Sequence, residues 1–378
     1  MRRVAGFAII AFLFIGAWSI HRLQTRRLPH IQWESQNKPV GVFHVHSSES
    51  HDSKVSVDQI AKTAQGLQLD FVVITDHNAQ SAPAMVNNTT LLSFAELSTK
   101  HGHVIQLGVP ELVTKAEKDS LELGPLLKQR GGSAVIAHPT DPKRPWNGRW
   151  RDAGGLEIAS VSSAARQIGG ISYLGLLPTL AVFPINSRLA LAQLYRRDDK
   201  ALRRWDETLS PEQVGFCGVD AHGRINLRQN LRLWQIHLED ALPEALPKRA
   251  HAIVKSLKEG RFYCSAGLFG DSPEFRFTAQ KGGNPVGMSG DTISEVHIDE
   301  LTVTAPAIRF PDSKHGTSIV LFRNGEEILR HNGTLLRYPS PPPGTYRVEV
   351  RIPVPKLLFG YTTTPVIYSN KLRVTQKE

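Results

Sequence analysis

The sequence predicts an α/β protein in which a mostly parallel sheet or barrel is followed by a β-sandwich. Between residues 40 and 260, short apolar runs alternate with helical segments, which is typical of parallel strands buried on both faces. After about residue 271 the helical periods vanish, and Gly, Pro, Ser and Thr become more frequent. This change predicts three segments, residues 1–38, 39–271 and 272–378.

Seven continuous apolar runs in the segment 39–271 predict buried strands. Ser56 and Gln59 form a capping-box pattern in front of an amphipathic helix, and further helical stretches lie near 114–129 and 248–259. The strand candidates are Val40–Val45, Asp70–Thr75, Leu91–Ala95, Val104–Leu107, Ala134–Ala137, Leu156–Ala159 and Val214–Val219.

The segment 272–378 reads as strands separated by turns. Asn324-Gly325 is a strong signal for a β-hairpin, and Pro339–Pro343 is interpreted as a loop within the segment. The strand candidates are Phe275–Ala279, Ile298–Thr304, Ser318–Phe322, Glu327–Arg330, Tyr346–Ile352 and Ile367–Val374.

Composition excludes few classes of protein but narrows the choice. Apolar residues make up 40% of the 378-residue chain, so it can bury a sizeable core. The formal net charge is +10, yet no basic run with interleaved aromatic residues occurs, so a nucleic-acid-binding surface is not indicated. A mildly basic body favours small anionic substrates.

The N-terminal segment has the pattern of a membrane anchor. Residues Val4–Ile20 form an uncharged apolar run that follows Arg2 and Arg3, and its length is at the short limit for a spanning helix. We therefore expect an uncleaved N-terminal transmembrane helix and a polar tether up to residue 38. The body would then be membrane-anchored and periplasmic or otherwise extracytoplasmic. A removed signal peptide is the alternative.

Two further features leave alternatives open. Cys217 and Cys264 either pair as a disulfide in an exported protein or remain buried thiols within strands. The apolar stretch 168–184 contains Gly175 and Pro178, so a regular spanning helix is not expected there. It is interpreted as a buried insertion, with a lid or a segment touching lipid as the alternative.

Imidazole and carboxylate side chains recur where the predicted strands end. His44 and His46 are spaced by two, so on an extended chain they point to the same side and can hold one ion. In a barrel the C-terminal ends of the strands meet at one mouth, so residues at those ends converge. The residues placed this way are His44, His46, His77, Glu96, His138, Asp220 and His222.

Taken together, these motifs resemble those of the PHP superfamily, which is named after polymerase and histidinol phosphatase members. The matching segments are Phe43-His44-Val45-His46-Ser47, Ser50-His51-Asp52-Ser53, Ile74-Thr75-Asp76-His77-Asn78, Ala137-His138-Pro139 and Gly218-Val219-Asp220-Ala221-His222. The segments Glu96–Thr99, Gly102–Gly108, Ala201–Asp206, Gly260–Tyr263 and Thr364–Asn370 are similar to its branch of metal-dependent phosphoesterases related to carbaryl hydrolases. The resemblance covers residues 40–378.

The resemblance implies a distorted (β/α)7 TIM-like barrel that holds two or three divalent metal ions. It implies a first ion on His44, His46, Glu96 and Asp220, a second on Glu96, His103 and His138, and a third on Asp52, His77 and His222. His51 is adjacent to Asp52 and is the alternative ligand. Val219 stands where the family commonly has Ser, which removes a nearby hydroxyl but alters no ligand.

The residue types and the resemblance together predict a metal-dependent hydrolase. Imidazole and carboxylate ligands without thiolates suit Zn, Mn or Fe. Water activated by two such ions can attack a phosphomonoester or a phosphodiester. His222 is expected to be a metal ligand or the acid that protonates the leaving group. Asp76, next to His77, is expected to orient a ligand histidine or to supply that proton.

A basic loop follows one of the predicted ligands. Lys143 and Arg144 come a few residues after His138, at the same end of the barrel, and are candidates for binding a substrate phosphate. The alternative is a solvated loop with no role in binding.

Other functions remain open from the sequence alone. The same metal core can hydrolyse a carbamate or an ester, since activated water attacks a carbonyl as well. A non-catalytic binding protein of the cell envelope is a second class. A hydrolase that uses the anchor and the stretch 168–184 to reach lipid is a third.

Overall fold

The fold is mixed α/β, as the sequence predicts. A computed structural model describes residues 15–31, 38–169, 174–208, 212–270, 274–311, 314–357 and 359–377. Every predicted strand of the segment 39–271 is present, with ends that shift by one or two residues. The predicted boundary at residues 271 and 272 lies outside the described residues.

The strands are numbered in chain order. The earlier strands are β1 (His30–Ile31), β2 (Val40–Val45), β3 (Phe71–Ile74), β4 (Ala84–Val86), β5 (Thr89–Ser93), β6 (Glu96–Thr99), β7 (Gly102–Leu107), β8 (Ser133–Ile136), β9 (Gly155–Ser160), β10 (Val214–Gly218), β11 (Gln235–Leu238) and β12 (Phe262–Ser265). The later strands are β13 (Arg276–Lys281), β14 (Asn284–Met288), β15 (Thr292–Ser294), β16 (Glu300–Thr304), β17 (Ile308–Arg309), β18 (Ser318–Arg323), β19 (Glu326–Asn332), β20 (Leu335–Pro339), β21 (Gly344–Pro355), β22 (Tyr361–Ser369) and β23 (Leu372–Thr375).

The helices lie mainly between the strands of the first part. They are α1 (Val57–Gln65), α2 (Lys115–Lys118), α3 (Leu123–Gln129), α4 (Val161–Gly169), α5 (Leu177–Val182), α6 (Ser187–Ala192), α7 (Asp199–Glu207), α8 (Leu227–Asn230) and α9 (Leu246–Glu259). The Ser56 hydroxyl accepts from the backbone of Gln59, whose side chain accepts from the backbone of Ser56. This reciprocal pair is the predicted capping box.

The strands whose ends carry the predicted ligands belong to two sheets. One has the order β10-β9-β8-β7-β6, and the other contains the path β12-β11-β2-β3-β5-β4. Neighbours β2 and β3, β3 and β5, β8 and β9, and β9 and β10 run parallel. Strand β7 runs antiparallel to both β6 and β8, so the sheet is less uniformly parallel than the sequence predicts. The reversal arises because a short hairpin, rather than a crossover helix, joins β6 to β7.

The two sheets approach each other at two places, each at or next to predicted metal ligands. A parallel bridge joins Val45, at the end of β2, to Ala221, which follows β10. A second parallel bridge joins His77, which follows β3, to Glu96, which begins β6. The strand ends of both sheets therefore lie side by side. Beneath them the rings of Phe43 and Phe216 stack with centroids 4.7 Å apart.

The C-terminal strands continue one of these sheets. Strand β22 pairs antiparallel with β12, so the sheet order runs on through β22, β21, β23 and β15. Strands β14, β13, β16 and β20 form a separate antiparallel sheet. The predicted turn Asn324-Gly325 joins β18 to β19, with positive φ at both residues. Among the described residues from 274 to 377 there is no α-helix.

Buried polar contacts fasten the C-terminal strands to the first part of the chain. The Asn370 side chain accepts from the backbone N–H of Gly215 at 2.8 Å and donates to the carbonyl of Phe262 at 3.3 Å. The Arg347 guanidinium on β21 donates to both carboxylate oxygens of Asp206 on α7, each at 2.7 Å. These contacts cross between segments that are distant in the chain, so the two parts are expected to unfold together.

The prediction of a membrane anchor is contradicted within the described residues. Residues 4–14 of the predicted anchor lie outside the described residues, and residues 15–25 are helical. Within the described ranges, no helix is long and apolar enough to span a membrane. The membrane anchoring predicted from the sequence, that is the transmembrane helix, the membrane partner and the membrane-anchored location, is therefore contradicted.

The predicted tether after the anchor is also partly structured. Strand β1 pairs antiparallel with β17, and Leu23 is buried against Val182 and Leu189. The segment is polar and has no hydrophobic period, so its sequence does not predict these contacts, which are made with distant parts of the chain.

The stretch 168–184 and the two cysteines each have a definite setting. Residues 170–173 of the stretch lie outside the described residues. In the remainder, Val182 is buried while Leu174 and Leu180 are more than half exposed, so the stretch is only partly a buried insertion. Cys217 and Cys264 are both buried free thiols, which matches the second of the two alternatives.

Candidate metal centre

The predicted ligands come together at one edge of the molecule. His44 lies near the end of β2, and His46, His77, His138 and Asp220 closely follow β2, β3, β8 and β10 respectively. His103 lies near the start of β7, and because that strand is reversed, its start lies beside the ends of the others. Local strand direction thus explains how all of these side chains reach one place.

Three of these residues have strained backbones. His44, His138 and Asp220 have positive φ values of 74°, 29° and 47°. The pairing register of β2 with β3 shifts between Phe43 and Val45, so His44 occupies a bulge that turns its side chain. Left-handed backbone at a residue other than glycine costs about 1–3 kcal/mol and is concentrated at functional sites. Aiming these three side chains therefore lowers the stability of the fold.

The carboxylate of Glu96 lies at the centre of the cluster. Its Oε1 is 2.8 Å from Nδ1 of His103 and 3.0 Å from Nε2 of His138. Its Oε2 is 3.2 Å from Nε2 of His46 and 3.4 Å from both Nε2 of His44 and Nδ1 of His77. Each oxygen thus faces a different set of imidazoles.

Asp220 completes one side of the cluster. Its Oδ1 lies 3.5 Å from Nε2 of His44 and 3.7 Å from Nε2 of His46, and these two nitrogens are 3.1 Å apart. Three ligand atoms from two strands therefore converge around one point. Four such groups occur among the described residues, namely His44, His46 and Asp220; His44, Glu96 and His138; His77, Glu96 and His103; and His46, Asp52, His77 and His222.

The fourth group contains the residues that the resemblance assigns to a third ion. Asp52 Oδ2 is 2.8 Å from Nε2 of His222 and 3.5 Å from Nε2 of His77. The ring of His46 stacks on that of His222 at 4.2 Å and belongs to this group as well. His51, the alternative ligand, is exposed with its ring 5.0 Å from that of His77. Asp52 is therefore better placed than His51 to bind an ion with these histidines.

The two central carboxylates of the cluster, Glu96 and Asp220, both have lowered pKa values. Burial raises the pKa of Glu96, but the charge of His44 and the hydrogen bonds from His103 and His138 lower it further, so its pKa lies well below the usual value. Burial likewise raises the pKa of Asp220, but the charges of His44 and His138 lower it by more. The pKa of Asp220 therefore also lies well below its usual value. Both carboxylates are therefore ionised and ready to bind cations.

The histidines respond to these charges in different ways. Burial lowers the pKa of His44, but the negative charges of Glu157 and Glu96 raise it more, so the result is well above the usual value. Burial dominates for His77 and lowers its pKa to about 4. His44 thus tends to hold a proton on the ring that faces Glu96 and Asp220, whereas the neutral ring of His77 keeps the lone pair of one nitrogen available.

Two possible ligand atoms are buried without a hydrogen-bond partner. Oδ2 of Asp220 and Nδ1 of His138 are buried and form no hydrogen bond. Such atoms cost free energy unless something satisfies them. Buried His, Glu and Asp groups at this edge can therefore hold divalent metal ions, and their lack of thiolates suits Zn, Mn or Fe.

Glu157, on β9, is a member of the site that the sequence analysis missed. Its Oε1 is 2.6 Å from Nδ1 of His44, and its Oε2 accepts from the backbone N–H of His138 at 2.7 Å. Its side chain is fully buried. A carboxylate within the apolar run Leu156–Ala159 was the available signal, because a buried charge requires partners.

Asp76 has a different partner from the one expected. Its two carboxylate oxygens accept from the backbone N–H of Ser47 at 2.7 Å and from the Ser47 hydroxyl at 2.6 Å. It therefore fixes the turn that follows His46, and its hydrogen bonds are made to Ser47 rather than to a histidine ring.

The basic loop borders the cluster. Nη1 of Arg144 is 3.1 Å from Nε2 of His103, while Lys143 is exposed and its backbone N–H donates to Asp141. Arg166, on α4, was not predicted. Its Nη1 donates to the buried carboxylate of Asp141, and its Nη2 is 3.7 Å from Oδ2 of Asp220.

Comparison with models of protein families and with curated proteins found no match for this chain.

Proposed function

We propose that this protein is a metal-dependent hydrolase of the phosphoesterase type, acting on a phosphomonoester or a phosphodiester. The observation that carries the proposal is the position of Glu96, whose two oxygens face separate sets of imidazoles within 3.4 Å. Bound divalent ions would supply activated water and neutralise negative charge on the substrate.

The chain's own residues have distinct tasks in this proposal. Glu96 joins the groups on either side of it, and His44, His46 and Asp220 form one side. Burial lowers the pKa of His222, so its ring is neutral, and its Nδ1 can donate to the Asp220 carbonyl at 3.0 Å. We propose that it donates a proton to the leaving group only when it is protonated. Its Nε2 lies against Asp52, so the same ring is also placed to act as a ligand.

We further propose the PHP-like architecture, a (β/α)7 barrel followed by a β-sandwich. The bridges Val45–Ala221 and His77–Glu96 support the barrel, since they bring the two sheets together on both sides of the cluster. The antiparallel sheet containing β13 and β16, together with the sheet containing β18 and β21, supports the sandwich.

Metal analysis is the first test. Protein purified in the presence of Mn, Zn or Fe is expected to retain divalent ions, and Glu96→Ala is expected to lose most of them. His251→Ala is the matched control, because His251 is an exposed histidine on α9 outside the cluster. A wild-type protein that retains no ions after this treatment would remove the proposed function.

Substrate assays are the second test. The metal-loaded protein is expected to hydrolyse an aryl phosphate or an aryl phosphodiester, and Glu96→Ala is expected to lose this activity at least about a thousandfold. Turnover of an aryl carbamate alone would reject the phosphoesterase assignment and leave the carbamate hydrolase in its place.

A further inference from the structure

Guanidinium groups lie at both ends of the donor cluster. At one end, Nη1 of Arg144 is 3.1 Å from His103. At the other end, Nη2 of Arg166 is 3.7 Å from Oδ2 of Asp220. Glu96 and His44 connect these two ends through contacts of 2.8 to 3.5 Å. Two positive groups therefore flank the place where the ligands converge.

Arg166 is held in place by the buried carboxylate of Asp141. Asp141 is fully buried, accepts from Arg166, and accepts from the backbone N–H of Lys143 at 2.8 Å. The backbone N–H of Asp141 in turn donates to the carbonyl of His138 at 3.0 Å. Burying this carboxylate is costly unless it is paired. It fixes one guanidinium nitrogen of Arg166 and leaves the side chain 23% exposed at the site.

Arg144 is held by a contact that cannot survive metal binding at His103. A guanidinium has only donors, so Nε2 of His103 must accept in this contact. If Nε2 binds an ion, its lone pair is used. If Nδ1 binds the ion, Nε2 carries the proton. Two N–H donors, from His103 and Arg144, would then face each other. In both cases Arg144, which is exposed, must leave His103.

We propose that Arg144 and Arg166 are the two arms of an anion subsite that takes the terminal phosphoryl dianion of a phosphomonoester, with Arg144 held on His103 until an ion binds there. This inference rests on the proposed function and narrows its substrate class. A terminal phosphoryl group has three non-bridging oxygens and two negative charges, whereas a diester has two such oxygens and one charge. Two positive guanidinium groups match the larger charge and the additional oxygen of the monoester.

The direct test is binding of inorganic phosphate to the metal-loaded protein, measured by calorimetry. Arg144→Gln and Arg166→Gln are each expected to weaken phosphate binding about tenfold or more. Arg149→Gln is the control, since Arg149 belongs to the same basic stretch but pairs with Glu122 at the surface. The preference for an aryl phosphate over an aryl phosphodiester, measured as the ratio of kcat/KM, is expected to fall in both variants and not in the control.

The second test examines the hold on Arg144 without any turnover. Titration with Mn²⁺ in the absence of phosphate is expected to give several-fold tighter binding for Arg144→Gln than for wild type, because the competing contact is gone. Added phosphate is expected to tighten Mn²⁺ binding in wild type and to do so less in the variant. Equal Mn²⁺ affinities of wild type and Arg144→Gln, both with and without phosphate, would overturn the proposal that His103 holds Arg144 until an ion binds.

The outcomes separate this inference from the proposed function. A wild-type protein that binds no ions defeats the proposed function. A wild-type protein that binds ions, with phosphate affinity unchanged in Arg144→Gln and Arg166→Gln, defeats the anion subsite alone. Should Arg166→Gln fail to fold by circular dichroism, Arg166→Lys keeps the charge and loses the paired donors, and unchanged phosphate affinity in that variant overturns the proposal as well.

Discussion

Glu157 connects the ring of His44 to the backbone of His138, with hydrogen bonds of 2.6 Å and 2.7 Å. Both partners have strained, left-handed backbones. Because Nδ1 of His44 donates to Glu157, Nε2 of the same ring is directed toward Glu96 and Asp220. One buried carboxylate thus fixes the orientation of a proposed ligand and supports the strained turn that carries another.

Replacement of Glu157 is expected to weaken the centre without removing any proposed ligand. In Glu157→Ala, the His44 ring loses its orienting partner and the N–H of His138 loses its acceptor. We expect metal affinity to fall about 10- to 100-fold and the ion-free protein to lose about 2–4 kcal/mol in free energy of unfolding. Mn²⁺ titration and urea denaturation measure the two effects. The exposed Glu207→Gln variant is the control, and equal metal affinity in both variants would contradict this role.

Gly218 is expected to be indispensable because of Glu157. A Cβ at this position would lie 1.9 Å from Oε1 of Glu157, which is far inside contact distance. Gly218→Ala should therefore destabilise the protein by roughly 2 kcal/mol or more. In the Glu157→Ala background the carboxylate is absent, so the same substitution should cost much less. A double-mutant cycle of urea denaturation measures the coupling, and strictly additive losses would show that the two residues act independently.

The sequence predicted much of the site because its signals are local. The capping box at Ser56 and the hairpin at Asn324 depend only on neighbouring residues, and both were confirmed. His44 and His46 also converge, with their Nε2 atoms 3.1 Å apart, but the bulge at His44 interrupts the extended chain that the spacing of two assumes.

The features that the sequence missed depend on distant contacts. Glu157 and Arg166 gain their meaning only from His44, Asp141 and Asp220, which are remote in the chain. The antiparallel direction of β7 relative to β6 and β8 could not be predicted either, since an apolar run does not reveal the direction of its strand. The predicted membrane anchor is not matched by any helix among the described residues that is long and apolar enough to span a membrane.

Metal affinity is expected to rise with pH across the neutral range. The pKa of His44 lies well above its usual value and that of His138 is also raised, because negative carboxylates outweigh the effect of burial. A protonated ring cannot offer that lone pair, so an ion must displace protons, and higher pH favours the ion. Mn²⁺ titrations between about pH 6 and pH 8, in buffers of different ionisation enthalpy, measure both affinity and protons released. An affinity independent of pH in this range would be incompatible with raised pKa values at both histidines.

Asn370 is expected to couple the unfolding of the C-terminal strands to that of the metal centre. Its side chain bonds the backbone of Gly215, on the strand that leads to Asp220, and of Phe262, on the strand next to β22. Asn370→Ala leaves both buried backbone groups without these partners, so we expect a loss of about 2–4 kcal/mol in free energy of unfolding. Urea denaturation followed by circular dichroism and by Mn²⁺ release should give coincident transitions in wild type. Asn332→Ala, on the exposed strand β19, is the control and should change little. If the two probes report separate transitions in wild type, and Asn370→Ala resembles the control, the C-terminal strands fold as an independent unit.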